Sequence, residues 1–208
     1  MYVINYAGKQ NLIFLKGGQT VNISGTAATF PAEYVVTGDA KNDNDFFQAS
    51  QKFLSTYGQG LNIQELMSGD EAKYVKGMQK IEADINKNID ENVKKYNPGK
   101  EVVEWKKTDA KVAILNLMVN YEMTKKQMSG NPSFKLGKLF TDYENKLKEN
   151  NDEMVKTSPF YRQYLLTKMS PAFQKFAEAK SKEKKDVTTS ELFNDFLKSQ
   201  KEVSQVTK

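Results

Sequence analysis

The hydrophobic pattern of this chain changes its period near residue 40, and this change constrains the fold more than any other feature. Before it, Thr20–Ser24 alternates apolar and polar side chains with the period of two that is typical of a half-buried strand. Turn residues such as Gly17-Gly18 and Gly25 separate the β-prone runs. Four strands are predicted: Tyr2–Tyr6, Asn11–Lys16, Thr20–Ser24 and Tyr34–Thr37. They favour a small sheet, or the remaining part of a larger one that begins upstream.

Beyond a polar connector at Asp39–Asp45, apolar residues recur at spacings of three and four, as on one face of a helix. The clearest such run extends from Tyr74 to Tyr96, and Asn97-Pro98-Gly99 stops it. Residues 112–121 are apolar on nearly all sides, which predicts a helix that neighbours bury on several faces. Helix starts are predicted from capping residues at Ser68–Glu71, Asn131-Pro132, Ser158-Pro159, Ser170-Pro171 and Thr188–Glu191.

The sequence therefore predicts an α+β protein in which a small antiparallel β-sheet precedes a larger all-helical bundle. The expected domains are a small β region over residues 1–40, which could be incomplete on its N-terminal side, and a helical region over residues 41–208. Because Pro171 falls inside an apolar pattern, segment 159–180 is expected to form either two helices or one kinked helix.

The composition excludes several kinds of chemistry. The chain has no cysteine and no histidine, so it offers no thiolate nucleophile, no Ser-His-Asp arrangement and no zinc-thiolate site. An acidic run that begins at Asp39 fails the EF-hand spacing, because Asn44 and Ser50 occupy the positions of the required glycine and glutamate. We expect no cofactor, no metal site and no enzymatic activity in the chain as given. A carboxylate-dependent hydrolase is the catalytic alternative, but most glutamates lie among lysines on helical surface patterns.

The kind and distribution of charged residues also limit which classes of partner the chain is expected to bind. The net charge is +5, yet 30 of the 31 basic residues are lysine and only Arg162 is arginine. The lysines alternate with Asp and Glu along the helical patterns, which favours solvated helix faces over a nucleic-acid surface. No apolar run approaches the roughly 20 residues that a membrane-spanning helix needs.

Aromatic residues supply the candidate binding positions. Phe160, Tyr161, Arg162 and Tyr164 follow a predicted helix cap, and Trp105 lies near the start of the apolar helix. Tyr, Trp and Arg are enriched at binding hot spots, so these five residues are candidates for contact with a partner. The alternative is that Phe160 and Tyr164 belong to the core while Arg162 faces solvent.

The run from Asn11 to Gly25, the strand Tyr34–Gly38 and the Asn/Asp-rich step into helices carry a resemblance. They resemble the region before the thioredoxin domain in exported thioredoxin-like thiol–disulfide oxidoreductases of Bacteroidetes-type bacteria. In that family a small β domain and a helical segment precede the thioredoxin fold, and Ser158–Leu166 resembles that helical segment. The paired cysteines of the family are absent here, so no catalytic residue is carried over.

The resemblance implies a non-catalytic accessory region of such an oxidoreductase, located in the periplasm or at the cell envelope. Its expected role is to position the redox domain, to dimerise or to dock substrate proteins. The expected partners are therefore proteins, the protein's own downstream thioredoxin domain or a second copy of the chain. The alternative is a free-standing cell-envelope module that binds a peptide or glycan through the aromatic residues.

Overall fold

The computed structural model of the protein describes residues 1–30, 33–145, 152–183 and 188–199. It confirms the α+β class, with strands at the N-terminus and helices after them. The strands pair as two separate two-stranded antiparallel sheets, β1 with β2 and β3 with β4. Their bounds are β1 Tyr2–Tyr6, β2 Lys9–Ile13, β3 Val21–Ser24 and β4 Val35–Gly38.

The helices occupy most of the remaining described chain. Their bounds are α1 Lys41–Gly60, α2 Ile63–Ser68, α3 Glu71–Tyr96, α4 Lys100–Ser129, α5 Lys138–Glu144, α6 Asp152–Thr157, α7 Pro159–Glu183 and α8 Thr189–Ser199. Since α1 already begins at Lys41, the predicted connector Asp39–Asp45 is wrong over its last five residues. None of the helices in the described ranges combines the length and apolar composition that a membrane span requires.

By internal contacts the chain divides into two compact units, Met1–Ile114 and Leu115–Lys208, so the division falls inside α4. Both sheets, α1, α2, α3 and the first half of α4 belong to the first unit. The change from strand to helix near residue 40 therefore lies within one compact unit.

In the first unit, α3 packs against α1 through the apolar stripe that the sequence predicts. The stripe is buried from its first turn to its sixth at Tyr74, Met78, Ile81, Ile85 and Ile89. One turn further on, the spacing of the run would place Val93 inward, but the buried residue is Asn92. Its amide donates to Ser50 Oγ at 3.2 Å and to Asn88 Oδ1 at 3.0 Å. A polar pair thus continues the apolar contact between the two helices.

A smaller apolar cluster joins the two sheets. Phe30, Tyr34 and Val36 are buried together, and Ile4 of β1 and Val21 of β3 pack against them. The strands of one sheet do not pair with those of the other, but the two sheets share one set of apolar contacts.

The second unit contains its own buried side chains, among them Tyr121, Met154 and Tyr161. Aromatic rings join α7 to α8, with Phe173 in edge contact with Phe193 at a centroid distance of 5.1 Å. Phe196 is buried beside Phe173 at 5.5 Å. The spacing of apolar residues after Thr188 also predicts Val203 on the apolar face of the last helix, and this residue lies outside the described ones.

The helix start predicted at Ser68–Glu71 is confirmed, since α3 begins at Glu71, but its predicted cap is wrong, and the start predicted at Asn131 is wrong. Ser68 does not cap α3; it ends α2, and the Asp70 carboxylate caps α3 by accepting from the Lys73 amide at 2.7 Å. Asn131 does not start a helix either, because its side chain accepts from the Ser133 amide at 3.0 Å and closes a turn. At α3 a neighbouring side chain, that of Asp70, is the cap, and at Asn131 the side chain stabilises a turn instead of a helix.

Two other helix starts are confirmed. Ser158 Oγ accepts from the Tyr161 amide at 3.1 Å and caps α7. Thr188 and Glu191 form the predicted capping box, with the Glu191 carboxylate accepting from the Thr188 amide at 2.9 Å. Of the two alternatives for segment 159–180, the structure has one helix, with Pro171 inside it.

The end of β4 depends on a glycine. Gly38 has φ of +96°, and a Cβ atom there would collide with the carbonyl oxygen of Thr20. This close approach lets the Asp39 amide donate to the same oxygen at 3.0 Å, while the Asp39 carboxylate accepts from the Thr20 amide at 2.8 Å. These bonds hold the start of β3 against the end of β4.

We expect Gly38→Ala to lower the free energy of unfolding by about 2–4 kcal/mol, because it adds both backbone strain and an overlap with Thr20. Gly58→Ala is the matched control, since Gly58 lies in α1 with open space at its Cβ position. It should leave stability unchanged or raise it by up to ~1 kcal/mol through helix propensity. Urea denaturation of both variants measures the difference, and equal stabilities would contradict this account of Gly38.

Candidate docking site

The hairpin of β1 and β2 has a two-residue turn in which Ala7 and Gly8 both have positive φ, 51° and 75°. This is the conformation of a type I′ turn, and Tyr6 opposite Lys9 is the pair that closes it. In such a hairpin the closing pair is hydrogen-bonded, and the pattern then alternates along the ladder. The backbone groups of Val3 and Asn5 therefore point away from β2.

On the opposite side of the hairpin, the described chain closes the outer edge of β2 at Leu12 but not at Gln10, whose backbone groups also point outward. By the same alternation, the backbone groups of Leu12 point outward there. Its amide donates to the Asn11 side chain at 2.7 Å, and its carbonyl accepts from the Tyr34 hydroxyl at 3.3 Å. Burial raises the pKa of Tyr34 to about 12.

Asn44 of α1 continues this closure just beyond β2. Its side chain accepts from the Phe14 amide at 3.0 Å and donates to the Phe14 carbonyl at 2.8 Å and to the Ala40 carbonyl at 2.7 Å. The Asn44 side chain is fully buried, and it pairs with Phe14 as a neighbouring strand would. No further strand can add at this position.

Within the part of the chain that the structure describes, the outer edge of β1, formed by the backbone of Val3 and Asn5, has no such closure. Among the described residues, no side chain or loop is hydrogen-bonded to these outward groups. Tyr2, Val3 and Tyr6 are 56%, 51% and 56% exposed, and β1 contains no charged residue, proline or bulge. Edge strands that must not pair usually carry one of these features, so this edge is available for a further strand.

The predicted aromatic segment of α7 is placed differently. Tyr161 and Tyr164 are buried in the second unit, and the alternative prediction that Phe160 belongs to the core is wrong, because Phe160 is 38% exposed. The Phe160 carbonyl accepts from the Asn116 side chain at 2.8 Å. The alternative prediction is therefore right for Tyr164 and wrong for Phe160, in whose place Tyr161 is buried.

Arg162 is exposed, as the alternative prediction has it, but its guanidinium is bound. Nη1 donates to the carbonyl of Val155 at 2.9 Å and to that of Lys156 at 3.1 Å, near the end of α6. A cation at the C-terminal carbonyls of a helix stabilises that end. The structure therefore gives Arg162 a contact within its own unit.

Trp105, the last of the predicted binding residues, is buried in the first unit. Its ring packs against Phe14 at a centroid distance of 5.9 Å and against Phe47 at 5.6 Å. It therefore belongs to the core that supports the end of β2. Of the five predicted residues, the four on α7 lie in the second unit and Trp105 in the first.

Lys106, next to Trp105, is fully buried, and the sequence analysis did not single it out. Its ammonium donates to Gln51 Oε1 at 2.8 Å and pairs with Asp109 at 3.3 Å, and it lies within 6 Å of the Phe47 and Trp105 rings. Burial lowers the pKa of Lys106, and Asp109 opposes that shift. Lysines with a lowered pKa can act as nucleophiles, but this one has no exposed surface for a substrate to reach.

No protein-family model matches the chain, and it has no match among curated proteins or solved structures. Within the described ranges, no group of three or more Asp, Glu, His or Cys residues is arranged to hold a metal ion. The outer edge of β1 is therefore the feature from which a function can be argued.

We expect Tyr34→Phe to change how stability depends on pH. The pKa of Tyr34 is raised in the folded chain, so its contribution is complete below about pH 10 and is lost as pH rises toward about 12. The variant should be less stable than the wild type near pH 7 by about 1 kcal/mol, for the lost hydrogen bond to Leu12. Its stability should then fall less steeply than that of the wild type above pH 10. Urea titrations at several pH values measure this, and parallel curves would contradict it.

We expect Lys106→Met to destabilise the chain by about 3 kcal/mol, because it removes the cation beside a buried carboxylate. Adding Asp109→Asn should recover much of that loss, since the double variant no longer buries a charge. Lys107→Met is the control, because Lys107 is exposed and its ion pair with Asp90 at 3.5 Å lies on the surface; its effect should stay below ~0.5 kcal/mol. The double-mutant cycle is measured by urea denaturation, and additive effects would contradict the coupling of Lys106 and Asp109.

Proposed function

We propose that this chain is a non-catalytic protein-docking region and that the outer edge of β1 is where a partner strand adds. The observation that carries the proposal is the difference between the two edges of the hairpin. The outer edge of β2 is closed at Leu12 by Asn11 and Tyr34 and just beyond the strand by Asn44, whereas the outer edge of β1 is neutral and exposed. Strand addition uses backbone hydrogen bonds for affinity and alternate side chains for specificity.

On the basis of the resemblance alone, we propose that this docking region belongs to an exported thioredoxin-like oxidoreductase of the periplasm or cell envelope. There the docking region would bring a protein partner to a redox domain that carries the reactive thiols. Finding a thioredoxin domain with paired cysteines in the same coding sequence, downstream of Lys208, tests this assignment. A coding sequence without one would remove it and leave the docking role to be tested by itself.

The docking role is tested with Asn5→Pro. The Asn5 amide points away from β2, so proline there removes a donor from the outer edge while the ladder to β2 keeps its bonds. The probes are a reduced, alkylated unfolded polypeptide and a fluorescent peptide of alternating Val and Thr. We expect the wild-type chain to bind these probes and Asn5→Pro to bind them at least ~10-fold more weakly, as the loss of one or two backbone hydrogen bonds requires.

Asn5→Thr is the matched control, because it changes the same side chain and retains the amide. It should bind as the wild type does, and circular dichroism should show that both variants are folded. Equal binding by Asn5→Pro and Asn5→Thr, or no binding by the wild type, would contradict docking at this edge.

A further inference from the structure

We propose that the strand that docks on the outer edge of β1 is β1 of a second copy of this chain. The two strands would run antiparallel about a two-fold axis at Ile4 and form a four-stranded sheet in the order β2, β1, β1, β2. The inference rests on the proposed function, because it requires that the outer edge of β1 is the docking edge. It adds the identity of the partner, which is a second copy of the chain.

The hydrogen-bond pattern of β1 selects this register. Only Val3 and Asn5 direct both backbone groups outward within the strand. A two-fold axis at Ile4 places Val3 of each copy opposite Asn5 of the other. The amide and carbonyl groups of Val3 and Asn5, four outward groups on each strand, then all have a partner. An axis at Val3 or at Asn5 would pair one residue with itself and leave the other opposite a residue outside β1.

The side chains of β1 fit the same arrangement. Ile4 would lie opposite Ile4 of the second copy, and Tyr2 opposite Tyr6, as aromatic cross-strand pairs in positions where side chains approach closely. Two identical strands can pair only if they do not bring like charges together, and β1 has none. The first lysine, Lys9, lies across the turn on β2.

The size of the sheet favours the same partner. An isolated two-stranded sheet is marginal in water, and further strands or packing against another element are needed to stabilise it. Here only one face of β1 has support, through Ile4 against the Phe30 cluster and Tyr6 against Phe30 at 5.9 Å. Pairing two hairpins edge to edge doubles the strand count without any additional segment.

Sedimentation of the full chain tests the pairing. We expect a reversible monomer–dimer equilibrium, from 23.7 kDa to twice that mass, in wild type and in Asn5→Thr. Asn5→Pro should remain a monomer to at least ~10-fold higher concentration, as the loss of backbone hydrogen bonds requires. A wild-type chain that stays monomeric at about 1 mM would overturn the inference, since no weaker pairing would be specific.

Cysteine cross-linking tests the register, because the natural chain has no cysteine and each introduced thiol is unique. Ile4→Cys places two thiols in a non-hydrogen-bonded pair, where the Cα atoms are ~4.5 Å apart, within disulfide range. We expect it to form a covalent dimer under mild oxidation, and Lys9→Cys, at the far side of the turn, to form much less. A dimer that cross-links faster through Val3→Cys than through Ile4→Cys would overturn the register.

The two proposals fail separately. If the chain is a monomer but binds the unfolded polypeptide in a way that Asn5→Pro abolishes, the docking role stands and the second copy is wrong as the partner. If a dimer forms and is unaffected by Asn5→Pro, pairing through β1 is wrong. Loss of both dimer and probe binding in Asn5→Pro, with both retained in Asn5→Thr, supports both proposals.

Discussion

The buried side chain of Asn44 fixes the arrangement on which the rest of the first unit depends. It satisfies the amide and the carbonyl of Phe14 together, and it does so from the first turn of α1. Leaving either of these buried groups without a partner would cost about 1–3 kcal/mol. The contact therefore anchors the chain just after β2 to α1, and the Phe14 ring reaches Phe47 and Trp105 in the core.

This anchor also decides which edge of the hairpin is open. Because Tyr34 binds Leu12 and Asn44 binds Phe14, a further strand cannot pair along the end of β2, whereas among the described residues nothing blocks the outer edge of β1. The Phe30 cluster holds β1 through Ile4 from one face and leaves its outer edge exposed. An uncharged open edge is a hazard for a protein that has no use for it. We therefore interpret it as a binding feature.

Local patterns in the sequence predicted the elements better than the contacts. The α3 stripe follows from spacing alone, and the caps at Ser158 and Thr188 follow from short capping signatures. Asn44 and Lys106 could not be found in this way, because their partners lie 30 and 55 residues away in the chain. On α7, Phe160 was an expected core residue, but its neighbour Tyr161 is buried instead. Because both are aromatic, the sequence pattern fits either one equally well. For the same reason the sequence indicated aromatic binding residues that the structure mostly buries. Whether the edge of β1 is open depends on the direction of its backbone groups and on which residues cover each edge of the hairpin. The residue types of β1 alone do not predict either.

Amide hydrogen exchange, followed residue by residue by NMR as the concentration of the chain is raised, tests the central claim most directly. The account predicts that the Val3 and Asn5 amides exchange quickly in the dilute chain and become protected as it is concentrated. The Ile4 amide, which already bonds to β2, should change much less over the same range. Val3 and Asn5 amides that stay unprotected at high concentration, or that are already protected in the dilute monomer, would contradict it.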